Sequence, residues 1–168
     1  MEEKPKYIFK AIVNNDMDLF DTILSSPKFN IDITDRFRET PLIVACENGN
    51  EAMVKKLLFK KASLEIESKT GKTALMASIG QYELRRGPQT CFPNIITLLL
   101  NAGANHKHIS SYGNPLKLAL MKPEALQRFV FKVDVSIGTL IASGYDQDDI
   151  AKVNNCMQQN IAKIDSLI

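Results

Sequence analysis

The sequence predicts an all-α protein: a solenoid of about four helix-turn-helix units followed by a C-terminal amphipathic capping helix. Three observations carry that expectation. Residues 40–58, TPLIVACENGNEAMVKKLL, read as two short amphipathic helices folded back on each other. Each has about two to three turns, too few to be stable alone in water. The same pattern then returns in register, with Thr73-Ala74-Leu75 standing 33 positions after Thr40-Pro41-Leu42, Ser68 matching Asp35 and Ser78 matching Ala45. A two-helix unit repeated at this period hides its apolar face only by stacking on copies of itself. Finally, Ile150, Val153, Met157, Ile161, Ile164 and Ile168 step by three and four positions, which makes 146–168 one amphipathic helix with acidic residues at its start.

Each element follows from local chemistry. Thr40 offers a side-chain oxygen to cap a helix, and Pro41 suits the first helical position because it has no N–H to lose. Leu42, Ala45 and Cys46 share a face, and Asn48-Gly49-Asn50 stops the helix, since Gly and Asn accept a left-handed backbone. Met53, Val54, Leu57 and Leu58 form the apolar side of the next helix, with Lys55, Lys56 and Lys60 pointing elsewhere. Upstream, 1–5 read as a loose tail, and Tyr7, Ile8, Ala11 and Ile12 begin a first helix that Asn14-Asn15-Asp16 breaks. Leu19, Phe20, Ile23 and Leu24 copy the later outer helix at an offset of 34. This first unit is expected to cap the N-terminal end, with Asp16, Asp18 and Asp21 on its wet side. Ser25–Thr34 is a connector in which Ile31 and Ile33 alternate with Asp32, as in a short extended segment.

Asp35-Arg36-Phe37-Arg38 and Ser68-Lys69-Thr70-Gly71 are the turns ahead of the second and third units, and Thr73 is expected to cap the inner helix that follows. The third outer helix is expected to begin near Asn94, with Cys91 in a loop before it. Leu99-Leu100 falls 42 positions after Leu57-Leu58, so about nine residues are inserted at 82–90, YELRRGPQT. Ser110–Gly113 forms a third turn, and Asn114-Pro115 opens a fourth inner helix that Lys122-Pro123-Glu124 ends or kinks. Extra residues at about 122–132 precede a fourth outer helix carrying Val135, Ile137, Leu140 and Ile141, which Ser143-Gly144-Tyr145 would stop. The expected organisation is therefore a capping unit at 1–34, units at 35–67, at 68–109 with its inserted loop, and at 110–145, then the helix at 146–168.

On these residues the chain resembles the ankyrin-repeat family. The carriers are TPLIVACENGNEAMVKKLLFKKASLEI at 40–66, GKTALMASI at 71–79 and IITLLLNAGAN at 95–105. The resemblance implies a scaffold that recognises another protein without catalysis. It also marks three departures. Arg38 stands where the family has a turn glycine. Ile43, Met76 and Lys117 stand where it has a histidine that bonds between units. Asp32, Glu65 and Lys107 stand where some members carry a hydroxylated asparagine.

Composition narrows the function classes. Hydrophobic residues at 45% and charged residues at 24% are ordinary globular values, and a net charge of +2 calls for neither nucleic acid nor an acidic membrane. Cys46, Cys91 and Cys156 are odd in number with no CxxC pair, so reduced thiols are expected. The start, MEEKPKYIFKAI, has no apolar signal core, and the expected location is cytoplasmic or nuclear. No metal site and no cofactor are expected. Cys91 with His106 or His108 is the one nucleophile–base pairing, and it lacks an orienting third group. His106 and His108 read as solvated connector residues. Gly71-Lys72-Thr73 looks like the end of a phosphate loop without its earlier glycine, and is better read as turn and helix cap.

The expected function is a protein–protein interaction scaffold that binds a partner on its concave face of turn tips and inner helices. Exposed aromatic and arginine residues make good anchors. The candidates are Arg36, Phe37 and Arg38 on the first tip, Lys69 and Thr70 on the second, Tyr112 on the third, and Tyr82, Arg85 and Arg86 in the inserted loop. This basic and aromatic strip suits a partner protein with an acidic segment. A monomer is expected rather than a homodimer. The alternative is an adaptor or inhibitor that also assembles through the C-terminal helix.

Overall fold

The computed structural model describes residues 6–80, 91–120 and 146–165. They form eight helices in chain order: α1 (Tyr7–Val13), α2 (Met17–Leu24), α3 (Pro41–Glu47), α4 (Glu51–Phe59), α5 (Ala74–Gly80), α6 (Cys91–Asn101), α7 (Pro115–Leu120) and α8 (Gln147–Asp165). Among the described residues there is no strand, only an isolated bridge between Ser110 and Gly113.

The helix ends are set by the residues that suit them. Thr40 Oγ1 accepts the Ile43 N–H at 3.2 Å, and Thr73 Oγ1 accepts the Met76 N–H at 3.4 Å. Asp16 and Asn50 cap the outer helices in the same way, through the N–H groups of Leu19 (3.0 Å) and Met53 (3.2 Å). Each cap satisfies a donor that the first helical turn leaves without a partner. Between inner and outer helix the chain reverses through a left-handed residue, Asn15 at φ 55° in the first unit and Gly49 at φ 67° in the second. α6 starts earlier than expected, at Cys91, with Pro93 in its first turn, where a missing N–H costs nothing.

Packing runs in one direction. Within units α1 packs on α2, α3 on α4 and α5 on α6; between units the inner helices stack in the order α1, α3, α5, outer helix α4 packs on α6, and α7 lies against α5. α8 lies against α7. The core is accordingly a row. Ile8, Ile12 and Phe20 fill the first unit, Leu42, Ile43, Met53 and Leu57 the second, and Leu75, Met76, Ile79 and Ile95 the third, all almost wholly buried.

Polar bonds repeat between units as well. Asp32 Oδ1 accepts the Ser63 N–H at 2.9 Å, and Glu65 Oε1 accepts the Asn105 N–H at 2.8 Å. These two carboxylates, at the same position of successive connectors, tie each connector to the next. Asp21 departs from the expectation of a wet end face: its carboxylate reaches forward to Lys56 Nζ, at 2.6 Å from Oδ1. The Ile31–Ile33 segment turns rather than extends, because Asn30 Oδ1 captures the Asp32 N–H and Asn30 O the Ile33 N–H. The expected loop at 82–90, the segment at 122–132, the helix through Val135 and Ile141 and the stop at Ser143-Gly144-Tyr145 lie outside the described residues.

Candidate functional site

The turns ahead of α3, α5 and α7 share one construction. At its head stands Asp35, Ser68 or Ser110. Asp35 Oδ1 accepts the N–H groups of Phe37 (2.8 Å) and Glu39 (2.9 Å). Ser68 Oγ accepts those of Thr70 (3.3 Å) and Lys72 (3.2 Å), and Ser110 Oγ that of Tyr112 (3.2 Å). Gly71 takes φ 79°, and Arg38 takes the same left-handed conformation at φ 61° despite its side chain. The departure from the family glycine is therefore absorbed by strain, and the turn keeps its shape.

Neighbouring tips are stapled together. The Lys69 N–H donates to Phe37 O at 2.9 Å. Ser111 Oγ donates to Thr70 O at 3.0 Å, and Ser110 Oγ to Gly71 O at 2.5 Å. Phe37 is 50% exposed and Tyr112 38%. Arg36, Arg38, Lys69 and Thr70 are exposed beside them, and the Arg36 guanidinium sits 4.6 Å from the centroid of the Phe37 ring. Tyr82, Arg85 and Arg86 lie outside the described residues.

Behind the tips is an ionic cluster that sequence reasoning missed. Lys72 Nζ pairs with Glu39 at 3.0 Å and with Glu47, and stands 5.9 Å from the Tyr112 ring centroid. All three ionic side chains are 13–16% exposed. Burial is the largest single influence on Lys72 and disfavours its charge. The hydrogen bonds and charges of Glu47 and Glu39 together outweigh it and hold the amine above its usual range. The signal was present: Glu39 and Lys72 occupy the same position of successive units, and stacking brings equal positions together.

The inner helices α3 and α5 offer a partner little: Pro41 to Cys46 and Ala74 to Ile79 are buried, leaving Glu47 as the half-buried end of α3. Ile43 and Met76 fill the places of the family histidine as core residues. Met76 Sδ lies 3.8 Å from Ser110 Oγ, a remnant of the inter-unit contact. His108 is not the solvated residue expected: it is half-buried, with Nε2 2.7 Å from Glu67 Oε1 and Nδ1 4.0 Å from Glu65. His106 is half-buried too, and burial, then the Lys107 charge, pulls it below the usual histidine range. Burial and then the Glu47 charge push the Cys46 thiol far up, so it stays protonated. Cys156 is buried, and the Cys91 side chain lies outside the described set. Among the described residues no group of three His, Cys, Asp or Glu could hold a metal ion, and no helix is long and apolar enough to cross a membrane.

Comparisons with known proteins agree with this architecture. The family model described as ankyrin repeats (3 copies) matches residues 8–109. No curated protein matches the sequence. Among solved structures, the chain is similar to one from the predatory endopeptidase Bd0816 of Bdellovibrio bacteriovorus in complex with immunity protein Bd3460. The two are 20% identical, with 92% of this chain and 93% of that chain covered and a TM-score of 0.59. That likeness speaks for the fold. The helical pairs, the capped turns and the matched span together place the chain in the ankyrin-repeat family.

Proposed function

We propose that this protein is a non-catalytic interaction scaffold that holds an acidic segment of a partner protein on its strip of turn tips. The observation that carries the reading is the stapling of successive tips by Lys69 N–H to Phe37 O and by Ser111 Oγ to Thr70 O. A strip held in place before binding loses little entropy on contact. Phe37 and Tyr112 supply the apolar anchors, and Arg36, Arg38 and Lys69 the positive charge. With α3 and α5 almost wholly buried, the tips rather than these helices carry the contact. Support by analogy comes from the similar solved chain, which belongs to a complex of two proteins. We further propose that α7 opens a fourth unit and that α8 caps the solenoid, since Ile150, Val153 and Cys156 of α8 are buried and α8 packs against α7.

The test is quantitative affinity capture with wild type against Phe37→Ala/Tyr112→Ala. The expected outcome is a set of captured proteins depleted at least about tenfold by the double substitution, with unchanged circular dichroism. Equal capture by both would refute the tip strip as the binding surface.

A further inference from the structure

We propose a second docking surface on the outer helices: the groove between α2 and α4, shaped for an acidic peptide segment with bulky apolar side chains. The groove is open to solvent, with a volume of about 540 Å³, within the range of pockets that hold ligands. It exists because α4 packs closely on α6, whereas α2 is not drawn against α4 to the same degree. Leu24 lines the groove from α2 and Phe59 from α4, together with Lys55 and Lys56.

Phe59 is a residue the fold does not account for. It is 84% exposed. Counting from the caps Asp16 and Asn50, its counterpart in the first unit is Ser25. Counting from the matched bonds Ala62 N–H to Leu57 O and Ala104 N–H to Leu99 O, its counterpart in the third is Asn101. Both are polar and exposed. The unit thus folds with a polar side chain at this position, and an aromatic there answers to something outside the solenoid.

The rim decides what that is. Lys55, Lys56 and Lys60 line the groove against one carboxylate, Asp21, which Lys56 already holds. Lys55 has Glu51 at 2.6 Å, while Lys60 has no carboxylate partner among the described residues. Lysines at a helix C-terminus complement its dipole, which accounts for Lys60 but not for Phe59. A positive rim around an apolar concavity calls for apolar side chains flanked by Asp or Glu. A lipid surface would meet the lysines and Phe59 but is flat where the site is hollow. None of these residues belongs to a turn tip, so the two surfaces stand or fall separately.

The experiment uses the full chain and a fluorescein-labelled peptide carrying Leu-Leu-Phe between two blocks of three glutamates, read by fluorescence anisotropy. The expected result is saturable binding that weakens at least about tenfold in Phe59→Ser and about fivefold in Lys60→Glu. It also weakens as salt rises from about 50 to 300 mM, and the same losses are read in the Phe37→Ala/Tyr112→Ala background, where the turn tips no longer contribute to peptide binding. Phe59→Ser places at 59 the residue already present at the equivalent Ser25, so the fold is retained; an unchanged melting curve verifies this, and Lys60→Glu provides an independent readout. The proposal is overturned by absent saturable binding, by binding indifferent to both substitutions, by Phe59-dependent binding to phosphatidylserine vesicles without binding of the peptide, or by Phe59-dependent self-association in sedimentation.

Discussion

A single turn position shows how one conformation is met by two different residues. Arg38 and Gly71 both hold positive φ, at 61° and 79°. For a residue with a Cβ that conformation costs about 1–2 kcal/mol, whereas glycine adopts it freely. Arg38→Gly should therefore stabilise the chain by about 0.5–1 kcal/mol, the strain relieved less the added freedom of the unfolded state. Gly71→Ala should destabilise it by more, about 2–3 kcal/mol. A Cβ at 71 would press on Ser111 Oγ and lie 3.1 Å from Ser110 Oγ, both of which staple the second tip to the third. Urea unfolding of the two variants checks the opposite signs. At this scale the residue pattern was informative about conformation and less so about environment: His108 sits in an ordinary connector yet meets Glu67 across to the preceding one.

Between elements, the Lys72 cluster joins the second turn to the first turn and to the end of α3. Glu39 and Glu47 are each 16% exposed and share this one amine. Removing a partner from such a group leaves like charges facing each other without water to relieve them. Lys72→Met should cost about 1–3 kcal/mol at neutral pH. The pH dependence has a definite sign. The folded amine lies above the ordinary lysine value of 10.5, so its contribution is fully present below that value and is lost as pH rises through the folded one. The gap in urea midpoint between wild type and Lys72→Met should be constant through neutral pH and narrow above about 10.5. A gap that widened with alkali would contradict the assignment. The Glu39–Lys72 half of the cluster was legible by laying one unit over the next. The Glu47 half was not, because it depends on how far the neighbouring helix end leans toward the turn.

At the scale of the molecule, each unit is stable only through its neighbours, so the ends matter most. α8 buries Val153 completely and leaves Ile150 and Cys156 only 8% exposed. If it is the cap, deleting 146–168 should lower stability by on the order of 3 kcal/mol, or several degrees in Tm, while the protein sediments as a monomer with and without it. A truncated chain that melts as before but changes its oligomeric state would make α8 an interface and revive the adaptor reading. Whole-molecule architecture was the most legible level. The 33-residue recurrence and the extra residues before α6 led to the stack without any long-range information, because periodic burial is written into each unit.

The sequence by itself determined the helical pairs, the inner-helix caps at Thr40 and Thr73, the breaks at Asn14-Asn15-Asp16 and Asn48-Gly49-Asn50, and the order of stacking. These depend on neighbours three or four positions apart, or on a fixed period. Only the tertiary structure decided which side chains meet across that stack. Lys72 reaches Glu47, Asp21 turns toward Lys56, and Phe59 is left beside an open groove. Those outcomes depend on the lateral shift and separation of adjacent helices. Side-chain packing at each interface sets these quantities, and no repeat period encodes them.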